Sequence, residues 1–145
     1  MPHAVGTLPA VADGKRLEQL HAIARGYVTE GLGKKNFDAI PYHESVELRA
    51  PLCPGGVEIP LVGREALRTV WWPPLPHLVE SVEVLDTFVN SELTAAAVEF
   101  HLTISEPRCR LRILDRFTIN TDGLIVSQEN YFDPRPLTGA GSAGA

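Results

Sequence analysis

The sequence lacks the features that mark several large classes of protein. Its 145 residues include only two cysteines, Cys53 and Cys109, which form no C-x-x-C pair and have no histidine cluster nearby. Neither a zinc site nor a redox motif is therefore indicated. No apolar stretch approaches the ~20 residues that cross a bilayer, and the N-terminus does not resemble a secretory signal. We expect a cytoplasmic protein without a metal site.

Positive charge is also scarce. The chain has 13 Lys and Arg residues against 18 Asp and Glu residues, a formal net charge of −5, and it contains no basic run. Nucleic-acid backbones and anionic membrane surfaces attract proteins of the opposite charge balance. Neither is expected as a partner.

What remains is the composition of an ordinary globular domain. Hydrophobic residues make up 44% of the chain and charged residues 21%, and this length is enough for one buried core. Residues 1–12 and 137–145 consist mostly of small residues with Pro or Gly and follow no periodic pattern, so both ends are predicted to be flexible. The sequence thus predicts a single domain over residues 13–136.

Three N-terminal segments have the spacing of helices. In the first, Asp13 is a plausible N-cap, apolar residues recur at helical intervals as far as Val28, and glycines follow. A short helical piece is predicted over residues 36–40. A third helix is predicted over residues 63–72, where the prolines at 73 and 74 end it.

Strand patterns dominate the rest of the chain. After a first strand at residues 43–50, β-rich runs occur at 79–89, 93–104, 109–119 and 124–132, and short turn sequences separate them. Connections of this length form hairpins, so the sheet is predicted to be antiparallel. Helices first and strands afterwards predict an α+β fold in which three N-terminal helices cover one face of an antiparallel sheet, and a strongly curved sheet would wrap around them as a cone.

Several motifs resemble a known family. The segments Ile-Leu-Asp-Arg-Phe at 113–117, Asp-Gly-Leu-Ile at 122–125 and Asn-Tyr-Phe-Asp-Pro at 130–134 look like its last hairpin, and Gly-Arg-Glu-Ala-Leu at 63–67 looks like the start of its third helix. The family is the nuclear transport factor 2-like superfamily, in the branch of SnoaL-like polyketide cyclases, ketosteroid isomerases and limonene epoxide hydrolases. The resemblance implies a cone-shaped sheet with an apolar pocket for a small hydrophobic organic ligand, and a homodimer formed through the sheet.

The resemblance also implies roles for particular residues. Asp115 falls where ketosteroid isomerases keep a protonated Asp that donates to an oxyanion, and Tyr27 lies near their catalytic Tyr. Their general base has no counterpart, since the residue before Pro51 is Ala50. Asn130 stands where limonene epoxide hydrolases carry the Asp that activates water.

Asp115 also stands out on the residues alone. Its neighbours at intervals of two along the strand are apolar, so its side chain is predicted to share their buried face. Burial raises the pKa of a carboxyl group and suits it to proton transfer. The alternative is a structural carboxylate that pairs with an Arg or caps backbone. For Tyr27 and Asn130 a purely structural role is likewise open.

Glu99 and His101 alternate with apolar residues on their strand, and either face could line the pocket. On an inward face they would form a general base with an orienting partner, and on an outward face they would be solvated. Glu47 and Arg49 could pair with each other or bind an anionic group. Candidates for contact with a ligand are Glu47, Arg49, Trp71, Trp72, Phe117, Gln128 and Phe132.

The resemblance implies a cofactor-free enzyme that performs acid/base chemistry on a small hydrophobic, carbonyl-bearing polyketide, steroid or terpenoid. Isomerisation, cyclisation and dehydration are the reaction classes. Two alternatives remain open at this point. One is an epoxide hydrolase of the limonene epoxide hydrolase type, and the other is a non-catalytic protein that binds a small ligand or acts as a dimeric scaffold.

Overall fold

Six strands form one curved sheet in the computed structural model, which describes residues 10–139. Their order across the sheet is β2-β1-β6-β5-β4-β3. The strands are β1 (Tyr42–Arg49), β2 (Leu61–Val62), β3 (Val79–Val89), β4 (Ala95–Ser105), β5 (Arg108–Ile119) and β6 (Ile125–Tyr131). The predicted α+β fold class is confirmed.

Strand pairing follows the predicted hairpins with one exception. β3, β4, β5 and β6 pair as consecutive antiparallel neighbours, and β2 pairs antiparallel with β1. β1 pairs with β6 in parallel. Chain order alone could not predict this pair, because about eighty residues separate the paired positions Tyr42 and Ile125. This parallel pairing places the end of β1 beside the polar residues of β6.

All helices but the last precede the long strands β3 to β6, and the last one follows β6. They are α1 (Ala10–Gly26), which continues as a π-helical turn (Tyr27–Leu32), a 3₁₀ turn (Phe37–Ala39), α2 (Arg64–Ala66), which continues as a second π-helical turn (Leu67–Trp71), α3 (Leu75–Leu78) and α4 (Arg135–Thr138). The predicted N-cap at Asp13 is wrong. α1 begins three residues earlier, so Asp13 lies in its first turn, where an acidic side chain stabilises the positive end of the helix dipole.

Two short helices were not predicted. α3 and α4 each follow a Pro at the N-cap and carry a second Pro in the first turn, where a missing backbone N–H costs nothing. Proline therefore starts both short helices, and before α3 it also follows the end of the preceding helical turn. α4 includes residues 137 and 138, the first two of the segment predicted to be flexible. Residues 1–9 and 140–145 lie outside the described part of the chain.

The core lies between the concave face of the sheet and α1, which packs against β3, β4 and β5. Along β4 and β5, alternate residues are buried, as the predicted period of two requires. Arg16 fastens the helix to the sheet, because its Nε donates to Leu93 O at 3.1 Å and its Nη2 to Ile119 O at 2.9 Å. No helix among residues 10–139 is long and apolar enough to cross a membrane.

Candidate functional site

A cavity of about 200 Å³ lies between the sheet and the helical elements. Most of its wall is apolar and comes from β4, β5, the π-helical turns, α3 and the segment after β1. The apolar part includes Leu32, Ala50, Leu52, Val70, Trp71, Leu75, Leu78, Phe100, Ile104, Ile113, Phe132 and Leu137. Such a wall suits a hydrophobic ligand.

Both π-helical turns border this cavity. Tyr27 and Leu32 come from the first turn, and Val70 and Trp71 from the second. A π-helical turn is wider than an α-helical one and is often found at functional sites. Both turns therefore contribute residues to the cavity wall.

Three polar side chains meet in the wall. Asp115 on β5 and Asn130 on β6 are directly opposite each other in the strand register, and both point inward. Tyr27 approaches them from the end of α1. All three are buried, and Asp115 exposes only 1% of its surface. Because these residues lie far apart in the chain, the fold brings them together.

A network of hydrogen bonds lies behind the polar part of this wall. The Tyr42 hydroxyl donates to Gln128 Oε1 at 2.7 Å, and Gln128 Nε2 donates to Tyr27 Oη at 3.2 Å and to Asn130 Oδ1 at 2.9 Å. All four side chains are buried. Buried polar groups that are satisfied in this way hold one another in a single arrangement.

Asp115 has an environment that favours its neutral form. Burial raises the pKa of its carboxyl group well above the usual value, and a hydrogen bond from Tyr27 lowers the pKa by less. Within residues 10–139, Oδ1 of Asp115 is buried without a hydrogen-bond partner. Burial also raises the pKa values of Tyr27 and Tyr42, so both hydroxyls keep their protons. The site therefore combines neutral donors with one carboxylic acid.

Glu99 and His101 lie on the other side of the sheet. The apolar residues of β4 face inward, and Glu99 accepts from Arg112 Nη2 at 2.7 Å on the outer face. His101 Nδ1 lies 3.2 Å from a carboxylate oxygen of Glu83. The prediction that this pair moves a proton in the pocket required the opposite orientation, so it does not fit this structure.

Glu47 and Arg49 are also outside the cavity. Arg49 donates from Nη1 to the carbonyl oxygens of Val57 and Glu58 at 2.7 and 2.9 Å, which fastens the loop between β1 and β2. Glu47 is exposed, and both residues border a shallow surface depression. Neither residue reaches a ligand in the cavity.

The predicted aromatic contacts divide into two groups. Trp71 and Phe132 line the cavity. Trp72 instead packs against Phe37 with ring centroids 5.4 Å apart, and Phe117 packs against Tyr27 at 4.9 Å. Trp72 and Phe117 thus support the wall from behind.

Two residues of the site were not predicted. Tyr42 lies one residue before the predicted first strand, and the sequence carries no signal that links it to Gln128. Cys53 is in the cavity wall, where partial burial raises the pKa of its thiol. Cys53 and Cys109 are both free. Within residues 10–139, no group of three His, Cys, Asp or Glu side chains is placed to hold a metal ion.

Comparison with known proteins gives matches in structure alone. No protein-family model matches the sequence, and no curated protein matches it. SalBIII, an epoxide hydrolase/cyclase-like enzyme with a role in pyran ring formation in the polyether salinomycin, is 18% identical, with 83% of this chain and 92% of that chain covered and a TM-score of 0.65.

Two further solved structures are similar. A steroid delta-isomerase from Pseudomonas aeruginosa is 17% identical, with coverage of 81% of this chain and 82% of that one and a TM-score of 0.63. RV0760c from Mycobacterium tuberculosis, in complex with estradiol-17beta-hemisuccinate, is 15% identical, with coverage of 78% and 93% and a TM-score of 0.63.

These structures share the fold of this chain, an α+β fold in which a curved sheet packs against an N-terminal helix. This is the nuclear transport factor 2-like fold, and the chain has it, as its motifs predicted. A fold of this kind serves many reactions, so the function has to be argued from the site.

Proposed function

We propose that the protein is an enzyme that performs acid/base chemistry on a small hydrophobic compound with a carbonyl or related oxygen. Isomerisation, cyclisation and dehydration are the reaction classes. The observation that carries the proposal is Asp115, a carboxyl group with a raised pKa in the wall of an apolar cavity. The structural similarity to a steroid isomerase and to a cyclase-like enzyme supports it.

Asp115 supplies both the acid and the base. Among the described residues that line the cavity it is the only carboxyl group, and Glu99 and His101 face away from it. The neutral acid donates its proton to the substrate oxygen, and the carboxylate that results accepts a proton from carbon or from a hydroxyl group. The residue thereby regains its starting state, and no cofactor is required.

The three reaction classes share this proton cycle. In dehydration the protonated hydroxyl leaves as water, and the carboxylate removes a proton from the adjacent carbon. In cyclisation a hydroxyl of the substrate attacks the carbon of the protonated carbonyl, whose C=O double bond becomes a C–OH single bond, and the proton of the attacking hydroxyl passes to the carboxylate. In isomerisation the carboxylate removes a proton from a carbon next to the carbonyl to give an enol, the acid returns this proton to a different carbon of the enol, and the oxygen gives its proton back to the carboxylate. A positioned acid or base contributes typically 10²–10⁴-fold to such steps.

The volume of the cavity limits the size of the substrate that it can hold. Its volume of about 200 Å³ lies below the ~300–1,000 Å³ typical of sites for drug-sized ligands. We therefore propose a terpenoid or polyketide fragment of one or two rings rather than a steroid. Hydrolysis of an epoxide is less well supported, because the amide of Asn130 cannot act as the base that activates water. A scaffold role is disfavoured because side chains leave the cavity open.

A screen for binding and turnover tests the proposed function. Monocyclic and bicyclic ketones, their hydroxylated and epoxidised relatives, and steroids are compared by thermal shift, and each compound that binds is then incubated with the protein. A ligand at 100 times its dissociation constant adds about 2.7 kcal/mol to stability. We expect small ketones or their relatives to bind and to yield an isomer, ring or alkene by mass spectrometry and NMR. Binding across the panel without any conversion would instead identify a ligand-binding protein.

We also propose that the protein forms a homodimer through the outer face of the sheet. Phe88, Leu114 and Tyr131 are 47%, 37% and 47% exposed and border one shallow groove with Ala97. We call these four residues the outer patch. Exposed apolar side chains gathered in this way favour contact with another protein surface.

Replacement of Phe88 by Glu should therefore separate the subunits. A charge within the outer patch opposes burial of this face, so the F88E variant should elute as a monomer where the wild type elutes as a dimer. Light scattering after size exclusion measures the mass. Val62→Glu, which changes a 55% exposed residue on β2, is the control and should leave the mass unchanged. A monomeric wild type would refute the proposal.

A further inference from the structure

The exposed residues of the wall mark where the cavity reaches the surface. Most of the wall is buried or half-buried, but four of the residues that line it are exposed: Leu52, Pro54, Val70 and Pro74. The first two belong to the loop after β1, and the other two lie in the second π-helical turn and shortly after it. We call these four residues the mouth. All four are apolar, so the mouth favours neutral, hydrophobic compounds over charged ones, which would lose water there.

A cluster of exposed charged side chains holds the helical side of the mouth. Asp38, in the 3₁₀ turn, accepts at its Oδ1 atom from Arg64 Nη2 at 2.9 Å and from Arg68 Nη2 at 2.7 Å. Arg64 begins α2, and Arg68 lies in the second π-helical turn. The hydrogen bonds from Arg68 and Arg64 lower the pKa of the Asp38 carboxyl group, so it is charged at neutral pH. One carboxylate thus links two positions of this helical segment to the 3₁₀ turn.

Both guanidinium groups also lie over one aromatic ring. The Cζ atoms of Arg64 and Arg68 are 5.2 and 4.8 Å from the centroid of the Phe37 ring. Phe37 packs in turn against Trp72 at 5.4 Å, and the backbone N–H of Trp72 closes the second π-helical turn. Two like charges at one ring repel each other unless an anion binds both. Asp38 supplies that anion.

The position of Arg68 affects the cavity directly. Val70 and Trp71 follow it within the same π-helical turn, and both line the cavity. A displacement of Arg68 therefore displaces part of the wall and one residue of the mouth. Asp38 does not line the cavity itself, so it acts on the cavity only through the two arginines.

We infer that the ligand enters and leaves through the mouth, and that Asp38 is a positioning residue that keeps the mouth narrow through its two arginine partners. Loss of the Asp38 charge leaves the two guanidinium groups to repel each other, so the second π-helical turn separates from the loop after β1 more often. This role requires the cavity but not the reaction proposed for it.

Cys53 reports on access to the cavity without a known ligand. It lies in the wall beside Leu52 and Pro54 of the mouth, exposes 9% of its surface and has a free thiol. The probe is methyl methanethiosulfonate, a small neutral reagent that converts the thiol to a methyl disulfide and releases methanesulfinic acid. Cys109 is also free but does not line the cavity, so it is the internal reference. Mass spectrometry of peptides after timed labelling measures both rates in one sample.

Asp38→Asn removes the charge and keeps the size of the side chain. We expect it to raise the labelling rate of Cys53 about fivefold and to leave the rate of Cys109 unchanged. Asp38→Glu keeps a carboxylate and should stay within about twofold of the wild type. Glu65→Gln is the matched control, because Glu65 lies in α2 and contacts Arg68 at 3.5 Å. It changes the charge near the thiol by the same amount but leaves the anion that both arginines share, so both rates should be unchanged.

The ratio of the two rates distinguishes a positioning role from general loosening, which would accelerate both cysteines together. A rise of less than about twofold at Cys53 in Asp38→Asn, an equal rise at Cys109, or the same rise in Glu65→Gln would overturn the inference. If Asp38→Asn does not fold by circular dichroism, Asp38→Ala takes its place. Labelling does not depend on turnover, so a failed ratio leaves the proposed function standing, and the expected ratio without any turnover leaves the inference standing.

Discussion

The Asp115→Asn variant is expected to turn over substrate about 10²–10⁴-fold more slowly than the wild type and yet to be the more stable protein at neutral pH. The amide keeps the shape and the hydrogen-bond donor of the neutral acid, so ligand binding should persist. It cannot release a proton, and proton transfer is lost. Initial rates with a substrate from the screen measure the first effect.

The gain in stability follows from the pKa of Asp115. Burial raises this pKa in the folded state well above its usual value, which is about 3.9 in an unfolded chain. Below the unfolded value both states are protonated, and the wild type has its full stability. As pH rises from there to the folded-state pKa, the unfolded state releases the proton first, and the free energy of unfolding falls by about 1.4 kcal/mol for each pH unit between the two pKa values.

Urea unfolding of both proteins between pH 4 and pH 8 measures this difference. The free energy of unfolding of Asp115→Asn should exceed that of the wild type at pH 7 by at least about 1 kcal/mol, and the gap should close toward pH 4. Asp122→Asn, an exposed Asp in the turn between β5 and β6, should show no such gap. A wild type that is equally stable at pH 7, or a gap that widens toward pH 4, would contradict a neutral Asp115.

Replacement of Phe100 by Ala is expected to have the largest effect on stability. The Phe100 ring is fully buried, lines the cavity and meets Tyr27 edge-on with centroids 6.4 Å apart. Buried Phe→Ala substitutions cost about 3–5 kcal/mol, because contacts are lost and a void remains. The void would join the existing cavity, so the folded Phe100→Ala variant should bind larger compounds than the wild type does, including steroids.

Urea unfolding and thermal shift measure the two effects of Phe100→Ala. The free energy of unfolding of a typical protein is about 5–15 kcal/mol, so the loss expected for Phe100→Ala is a large part of it. Phe100→Leu therefore serves as a milder variant, which should also lose stability but by less. Ile59→Ala, at a residue that is 68% exposed, is the control and should stay within about 0.5 kcal/mol of the wild type. A loss below about 1 kcal/mol for Phe100→Ala would contradict a buried, closely packed Phe100 ring in the cavity wall.

The five longer strands and the inward position of Asp115 could be predicted from the sequence because alternation is a local signal, whereas the two-residue strand β2 was not predicted. β3 has the predicted bounds, and the apolar neighbours of Asp115 along β5 lie on the buried face. Alternation defines two faces without saying which one meets the helices. For that reason the sequence leaves the orientation of Glu99 and His101 open, and the packing of α1 on the apolar side of β4 determines it.

Other parts of the site depend on contacts that no local pattern carries. Tyr42 and Gln128 are 86 residues apart in the chain and meet because β1 pairs in parallel with β6. The π-helical turns have the same spacing of apolar residues as the end of an ordinary α-helix. The pattern around Tyr27 therefore predicts a helix but does not distinguish a π-helical turn from an α-helical one. The hydrogen bond between Gln128 and Tyr27 likewise joins residues that are 101 positions apart.

The β5–β6 register has a consequence for how the chain can change in length. Leu114 faces Tyr131 on the outside, and the next pair, Asp115 and Asn130, faces the cavity. Deletion of one residue between Asp115 and the turn that precedes β6 would turn the preceding β5 side chains to the opposite face, because side chains alternate at every position. Such a deletion would place Leu114 in the cavity opposite Asn130 and the acid in solvent. Variation in length among functional relatives should therefore avoid this hairpin and collect in the loop between β1 and β2.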